Sequence, residues 1–312
     1  MTRALLITNP AAARTHARAV TAIRDTLRGG GWSVEVLATA QSGDARRFAE
    51  QGRVQGVDVF VCYGGDGTAM QIAAGAVGSG IPLGLVPGGT GNLLAGNLRL
   101  PRRPTAAARV ILTGTPLPID LGVVERRDGT HYFAVCCGTG FDARLMAATG
   151  TAEKSRWKMA AYVGRALAAL PGVTSPRHRV TVDGATRELA AAMVLIANCG
   201  ELVPPFLRLS DDVAPDDGWL DVVALTAEGP LESLAAFAAL LRHRRRPSDG
   251  SPRVWFGRGR AVRVEVLEGP PRPMQLDGEP RGDTPFEARV LAGALPVIVD
   301  PLTASGRPRR HG

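Results

Sequence analysis

The chain has 312 residues, 45% of them apolar, and a formal net charge of +8. This length is sufficient for two domains, each with its own core, and the apolar content is ordinary for a soluble globular protein. No stretch approaches the roughly 18 consecutive apolar residues of a membrane-spanning helix. The first residues also lack a signal-peptide pattern, so we expect a cytoplasmic protein.

The positive charge comes almost entirely from arginine, since Lys154 and Lys158 are the only lysines. A compositional bias toward alanine and arginine would explain the excess. The alternative explanation is attraction to an anionic partner, such as a nucleotide, a nucleic acid or an acidic membrane surface. The four cysteines lie in apolar runs without a CxxC pair, which indicates reduced thiols, and the five histidines lack metal-ligand spacing.

Strand and helix patterns alternate in the first third of the chain. Apolar strands are predicted at 4–9, 32–39, 57–64 and 82–88, with helical stretches to about 28, around 43–51, from about 68 and near 91–96. This alternation predicts a doubly wound α/β domain, in which helices cover both faces of a parallel sheet. Ligands bind such sheets beyond the carboxyl ends of the strands, where Asn9, Thr39, Asp66 and Thr90 lie.

From about Ile119 the pattern changes to strand-like segments, which predicts a second, mostly antiparallel β-sandwich or barrel domain. We place the two domains at 1–122 and 123–292, with a segment at about 293–305 returning to the first. Helical stretches at 155–170 and 230–246 interrupt the second domain, and 306–312 is expected to be a disordered basic tail.

Two glycine-rich turns each follow a strand and open a helix, at 64–68 and 87–92. Neither contains a P-loop, and both miss the third glycine of a dinucleotide motif because Met70 and Leu94 occupy its position. The backbone N–H groups of such turns can bind phosphate, with Thr68, Thr90 and Asn92 adding polar side chains. Asp66 would then require Mg²⁺ between its carboxylate and the phosphates. The alternative is that these glycines only form tight turns with helix caps.

The motifs of nearly the whole chain resemble the diacylglycerol kinase catalytic-domain family, which includes sphingosine and ceramide kinases and soluble bacterial lipid kinases. They occur in order: NPAA (9–12), GGDGT (64–68), PGGTGNLLA (87–95), DLG (120–122), CGTGFDA (137–143), APDDGWLDV (214–222) and QLDGEP (275–280). GGDGT alone is shared with NAD kinases, whereas the series is specific. The resemblance implies a first domain of the NAD kinase and diacylglycerol kinase type, followed by a β-sandwich domain that binds the lipid.

The resemblance also implies an ATP site in the first domain. Its residues would be Asn9, Pro10, Ala11, Ala12, Ala13, Thr39, Gly64, Gly65, Asp66, Gly67, Thr68, Ala69, Met70, Gly89, Thr90 and Asn92. The family often has a serine and a glycine after the Asn-Pro pair, whereas this chain has three alanines. Contacts from a hydroxyl side chain to phosphate are therefore lost in that loop, although backbone contacts remain available.

Three carboxylates receive catalytic roles from the resemblance. Glu279 would be the general base that accepts the proton of the attacking hydroxyl, and Asp277 would orient this base or join the metal shell. Asp66 would handle Mg-ATP. From the residues alone, Asp277 to Pro280 is an acidic hairpin turn.

The APDDGWLDV segment would hold a structural Mg²⁺ in similar bacterial enzymes. The ligands here would be the Asp217 side chain with the carbonyl groups of Ala214 and Trp219. Such a metal would support the second domain rather than contact the transferred phosphoryl group. An ordinary turn is the alternative explanation.

The function implied by the resemblance is ATP- and Mg²⁺-dependent phosphorylation of a lipid alcohol, such as diacylglycerol or a sphingoid base, in a cleft between the domains. The alternatives are a soluble NAD kinase and a catalytically inactive nucleotide-binding regulator. The expected partners are ATP and a lipid at a membrane surface, contacted peripherally, and no nucleic acid; a homodimer is left open. The basic end of the 230–246 stretch either caps a helix or attracts acidic lipids.

Overall fold

The computed structural model describes residues 1–140, 174–203, 207–210, 212–229, 232 and 253–301. These residues form two units. The first unit comprises Met1–Leu121 together with Ala292 and the described residues after it, and the second comprises the described residues of Gly122–Leu291.

The first unit alternates strands and helices in chain order. Its elements are β1 (Arg3–Thr8), α1 (Ala17–Gly29), β2 (Ser33–Ala38), α2 (Asp44–Val54), β3 (Val59–Gly64), α3 (Asp66–Ala76), β4 (Leu83–Pro87), α4 (Leu93–Asn97), α5 (Pro104–Thr113) and the start of β5 (Thr115–Arg126). The strands β2, β1, β3 and β4 pair in this order and in parallel, and the end of β18 (Phe286–Val299) joins β4 opposite Leu83.

Continuous burial of the central strands explains the parallel sheet. All residues of β3 and of β4 are buried, and only the first residue of β1 is exposed. Strands that are buried on both faces need helices on both faces, and their apolar runs are therefore not interrupted by polar residues. The predicted α/β architecture of this part of the chain is confirmed.

Helix α5 was absent from the sequence-based expectations. Its apolar face consists of Ala107, Ala108 and Ile111, which have helical spacing, and Pro104 occupies its first turn. The arginines and prolines before it suggest a loop, so the short helical signal is easily missed. Helix α3 begins at Asp66, two residues before the expected start, because an acidic residue is favourable in the first turn of a helix.

The second unit is built mainly of strands in the described ranges. Beyond the rest of β5 and the first part of β18, they are β6 (Gly129–Phe133), β7 (Cys136–Gly140), β8 (Arg177–Val182), β9 (Ala185–Ala190), β10 (Met193–Ala197), β11 (Glu201–Val203), β12 (Leu207–Arg208), β13 (Leu220–Leu225), β14 (Val254–Gly259), β15 (Ala261–Val266), β16 (Pro273–Leu276) and β17 (Glu279–Asp283). One sheet has the order β14-β13-β10-β7-β16-β17, and another path runs β18-β15-β8-β9. The pairings within both are antiparallel.

Apolar side chains from both groups of strands form one core. Val194 and Val222 come from the six-stranded sheet, whereas Val180, Val262 and Ala288 come from the other group, and all are fully buried. Two antiparallel layers that share a core form a β-sandwich. The predicted antiparallel sandwich is therefore confirmed.

Several sequence-based expectations lie outside the described residues: the helical stretch at 155–170, the stretch at 230–246 apart from Glu232, and the tail at 306–312. In the described part of the chain, no helix is both long enough and apolar enough to cross a membrane. All four cysteines are buried and form no disulfide, and burial raises the pKa of the Cys62 thiol, which keeps it protonated.

Two valines of the first unit provide a matched stability test. Val59 is 6% exposed in the core, whereas Val54, at the end of α2, is 85% exposed. We expect Val59→Ala to lower the free energy of unfolding by about 2 kcal/mol, because two buried methyl groups are lost and a cavity remains. Val54→Ala should change it by under about 0.5 kcal/mol. Urea unfolding of both variants measures the difference, and equal effects would contradict the described core.

Candidate functional site

The two glycine-rich turns touch each other through their backbones at the carboxyl edge of the parallel sheet. A Cβ atom on Gly89 would lie 2.5 Å from the Cα atom of Gly65, closer than real Cβ atoms approach. The Gly88 N–H donates to the Gly64 carbonyl at 2.7 Å, which continues the pairing of β3 with β4 into the turns. Glycine is therefore required at position 89 by this contact, and the turns form one backbone surface.

The second turn is fixed by the side chain of Asn92. Its Oδ1 accepts from the Gly89 N–H at 2.8 Å, and its Nδ2 donates to the Gly89 carbonyl at 2.9 Å. Asn92 adopts a left-handed conformation with φ of 50°, which asparagine tolerates better than most residues. Thr90, between them in sequence, is exposed.

The end of β1 lies beside the first turn. Asn9 Nδ2 donates to the buried Thr68 hydroxyl at 3.2 Å, and Asn9 Oδ1 accepts from the Ala11 N–H at 3.0 Å. The Arg14 N–H donates to the Gly88 carbonyl at 2.9 Å, so the alanine loop is tied to the second turn as well. The structure thus brings three of the predicted segments together within the first unit.

Thr39 belongs to the same edge of the sheet, since its N–H donates to the Thr8 carbonyl at 2.9 Å. The loop after it is held by Asp44, whose Oδ2 accepts from the Ala40 and Gln41 N–H groups at 2.8 and 3.0 Å. Hydrogen bonds from Arg47 and from these two N–H groups lower the pKa of Asp44 to about 2. Asp44 was missed in the sequence, although an acid at the first position of a predicted helix was a usable signal.

Two buried hydroxyl groups near these loops have no hydrogen-bond partner in the described part of the chain, those of Thr8 and Thr15. Thr8 ends β1, and the Thr15 hydroxyl would lie 2.7 Å from a Cβ atom on Gly88. A buried polar atom without a partner is costly, so such atoms often mark the position of an absent polar ligand.

The carboxylate of Asp66 connects the two turns. Its Oδ1 accepts from the Leu94 N–H in the first turn of α4 at 3.2 Å. Burial raises the pKa of Asp66 above its ordinary value, although backbone N–H groups including that of Leu93 oppose the rise. A Cβ atom on Gly91 would lie 3.2 Å from Oδ2, so the missing side chain keeps space beside this oxygen. Asp66 is therefore an acceptor for the backbone, with one oxygen facing a glycine.

In the second unit, Asp277 and Gly278 form the two-residue turn between β16 and β17. Both have positive φ, 47° and 88°, as a type I′ hairpin requires. The Asp277 carboxylate accepts from three backbone N–H groups, those of Ala134, Val135 and Cys136, at 2.8–2.9 Å. Asp277 therefore anchors the turn, and the acidic hairpin that the residues alone predict is present.

Glu279 is the first residue of β17 and has an exposed side chain. Its nearest charged partner in the described residues is Arg281, with Nη2 3.3 Å from Oε2. The structure thus places the predicted base on a hairpin fixed by Asp277 and leaves its carboxylate accessible to solvent.

In the loop predicted to bind a structural Mg²⁺, the Asp217 carboxylate pairs with an arginine side chain instead. Asp217 Oδ2 pairs with the Arg258 guanidinium at 2.6 Å, and Asp217 Oδ1 accepts from the Trp219 N–H at 3.1 Å. No group of three histidine, cysteine or acidic side chains in the described residues could hold a metal ion. The Asp217 carboxylate, which a metal would need together with the Ala214 and Trp219 carbonyls, already neutralises a cation, so this loop does not fit the structural Mg²⁺.

Comparison with known protein families identifies both units. Residues 3–124 match the diacylglycerol kinase catalytic domain, and residues 135–299 match the YegS C-terminal NAD kinase beta sandwich-like domain. The second match alone covers more than half of the chain. The chain belongs to the diacylglycerol kinase/YegS family of lipid kinases.

The chain is also similar to individual proteins, in sequence or in fold. The chain is 28% identical to a Mycobacterium tuberculosis diacylglycerol kinase over an alignment of 316 positions. The alignment covers 98% of this chain and 95% of the relative. It is 26% identical to an uncharacterised Synechocystis protein over 85% of its own length, but spans only 61% of that longer relative. A crystal structure of a putative Bacillus anthracis diacylglycerol kinase has the same fold, with a TM-score of 0.78, 22% identity, and coverage of 96% of this chain and 97% of that one.

The raised pKa of Asp66 predicts a gain in stability on neutralisation. Because the folded state disfavours the charged carboxylate, stability falls as the pH rises from the ordinary pKa of aspartate, about 4, through the raised value. We expect Asp66→Asn, which keeps one acceptor for the Leu94 N–H, to have a higher free energy of unfolding than the wild type at pH 7. The difference should shrink as the pH is lowered toward 4. Asp25→Asn on exposed α1 is the control, and an Asp66 variant that is less stable at pH 7 would contradict the prediction.

The anchoring role of Asp277 predicts a large loss of stability without it. Asp277→Ala should lower the free energy of unfolding by about 3 kcal/mol, since three N–H groups lose a charged acceptor. Asp283→Ala, at the exposed end of the same hairpin, should cost under about 0.5 kcal/mol. Urea unfolding compares the two, and similar losses would show that the Asp277 contacts are not important for stability.

Proposed function

We propose that the protein is an ATP- and Mg²⁺-dependent kinase of a lipid alcohol, such as diacylglycerol or a sphingoid base. Membership of the diacylglycerol kinase/YegS family supports lipid phosphorylation in general. The observation that carries the proposal is the joined backbone surface of the turns at Gly65 and Gly89, with the exposed Thr90 beside it.

This surface suits the phosphates of a nucleotide. Turns without side chains let phosphate oxygens approach backbone N–H groups, and the start of α3 adds the positive end of an eleven-residue helix. The exposed Thr90 hydroxyl and the unpartnered Thr8 and Thr15 hydroxyls can donate further hydrogen bonds. The alanine loop would contribute through its backbone, since Ala11, Ala12 and Ala13 have no polar side chains.

The geometry around Asp66 also suits a metal bound together with ATP. Oδ2 faces the space that Gly91 leaves open, while the Leu94 N–H holds Oδ1 in place. Bound Mg-ATP would supply the phosphoryl group and the positive charge that screens this group from the carboxylate. A cation beside Asp66 would favour its ionised form and offset the effect of burial.

Glu279 is the proposed general base. Phosphoryl transfer requires a positioned acceptor for the proton of the attacking hydroxyl more than covalent assistance. A carboxylate on a short hairpin anchored by Asp277 meets this requirement, since the backbone of the turn is fixed by three hydrogen bonds. As the family resemblance implies, we propose that the reaction takes place in a cleft between the two units.

The lipid would be met at a membrane surface by a cytoplasmic protein. The net charge of +8 supports attraction to acidic headgroups. NAD kinase activity is the alternative within the same chemistry, because the second unit matches a domain described as NAD kinase beta sandwich-like.

A kinase assay with matched glutamate variants tests the role of Glu279. The wild type should transfer radiolabelled phosphate from ATP to diacylglycerol or sphingosine in mixed micelles, and Glu279→Gln should reduce turnover by about 10²–10⁴-fold. Glu268→Gln is the control, because the two side chains are similarly exposed, at 57% and 55%, and Glu268 lies on another part of the second unit. The control variant should keep wild-type turnover.

The same assay separates the alternatives. Phosphorylation of NAD without phosphorylation of any lipid would exclude the lipid kinase. Nucleotide binding by calorimetry without transfer to any acceptor would indicate an inactive regulator. Wild-type turnover by Glu279→Gln would show that another group accepts the proton.

A further inference from the structure

Arg258 lies directly across the β13–β14 pair from Asp221, at the point where the Asp217 loop enters β13. Its Nη2 atom is 2.6 Å from Asp217 Oδ2, 2.9 Å from Asp221 Oδ2 and 3.1 Å from the carbonyl oxygen of Asp212. Its Nε atom is 3.2 Å from the same Asp221 oxygen. One guanidinium therefore joins oxygen atoms from three positions of the loop and the strand after it.

These groups are largely removed from solvent. The side chain of Asp221 is 4% exposed, that of Arg258 is 19% exposed and that of Asp217 is 23% exposed. Carboxylates that are partly buried and close together repel each other unless a cation neutralises them. Arg258 supplies that cation from the opposite strand.

Arg260, in the β14–β15 connection, also contacts this loop. The Arg260 guanidinium lies 4.9 Å from the centre of the Trp219 ring, and the Arg260 N–H donates to Asp183 at 2.9 Å. The loop that contains Asp217 is thus fixed to one hairpin by the ion-pair cluster and by a cation–π contact at Trp219, between Asp217 and Asp221.

We propose that the Arg258 guanidinium is the resident cation of this loop and does the structural work that a divalent metal would do there. The fold of this loop accordingly needs no divalent metal. This inference does not depend on the proposed kinase activity, because it concerns the stability of the chain without nucleotide.

Arg258 gives the cluster a permanent positive charge. An arginine guanidinium is charged at all physiological pH values, and Asp217 and Asp221 both lie within 3 Å of this one. Arginine also suits the position better than lysine would, because its planar fork can donate to several oxygens at once.

Thermal unfolding of the full chain without nucleotide tests the proposal. The wild-type Tm should shift by under about 1 °C on addition of EDTA or of millimolar MgCl₂ or CaCl₂. Arg258→Met should lower Tm by roughly 5 °C or more, because two carboxylates lose their counterion. Millimolar Mg²⁺ or Ca²⁺ should restore part of that loss, and Arg258→Lys should lose less than Arg258→Met.

Arg263→Met is the matched control, since it removes an exposed arginine–glutamate pair on the neighbouring strand β15. A wild-type Tm that falls by several degrees with EDTA would overturn the proposal, and this measurement stands even if Arg258→Met does not fold. A loss no larger than that of Arg263→Met would overturn it as well. A large loss that neither cation reduces would assign Arg258 to packing instead of charge neutralisation.

Discussion

The contact between the backbones of Gly65 and Gly89 is the constraint on which the candidate nucleotide site depends. Strands β3 and β4 are adjacent and parallel, so the turns that follow them lie in contact at the same edge of the sheet. A Cβ atom at position 89 would collide with the Gly65 backbone, so glycine is needed there. Once the turns meet, Asp66 can reach the first turn of α4, and the end of β1 can hydrogen-bond to Thr68. The joined backbone surface of the two turns thus results from packing at a sheet edge.

Short carboxylates hold loop backbones throughout the molecule. Asp44, Asp183 and Asp277 each accept hydrogen bonds from two or three backbone N–H groups, and Asp66 accepts from the start of α4. This use is favourable because a charged acceptor stabilises several N–H groups at once. Carboxylate oxygens that accept these hydrogen bonds are less available for proton transfer or metal binding. Of the three proposed catalytic carboxylates, Asp277 accepts from three backbone N–H groups and Asp66 from the start of α4, whereas the Glu279 carboxylate is exposed.

The sequence predicted what depends on local pattern. The uninterrupted apolar runs predicted the parallel strands, and the two glycine-rich turns predicted where the ends of those strands lie close together. The Asp277-Gly278 pair predicted the hairpin. Partners that are distant in sequence were not predictable in this way. The three N–H groups that surround Asp277 lie more than 140 residues before it, and nothing in their sequence marks them as donors. The start of the predicted helix was a signal for Asp44, but its two donors, the Ala40 and Gln41 N–H groups, become evident only in the folded loop.

The Asp217 loop is a second case in which a partner distant in sequence could not be predicted from the motif. Two adjacent acids before a glycine suggest a metal ligand, because the motif contains no cation. The cation comes from Arg258, 41 residues later, and it reaches the loop only because β13 and β14 are paired. The excess of arginine, which composition alone left open between genomic bias and an anionic partner, thus has at least one internal use. A guanidinium can satisfy oxygens from several directions, which a lysine ammonium in the same register would do with less defined geometry. An arginine-rich chain can therefore stabilise an acidic loop from within, without a bound metal.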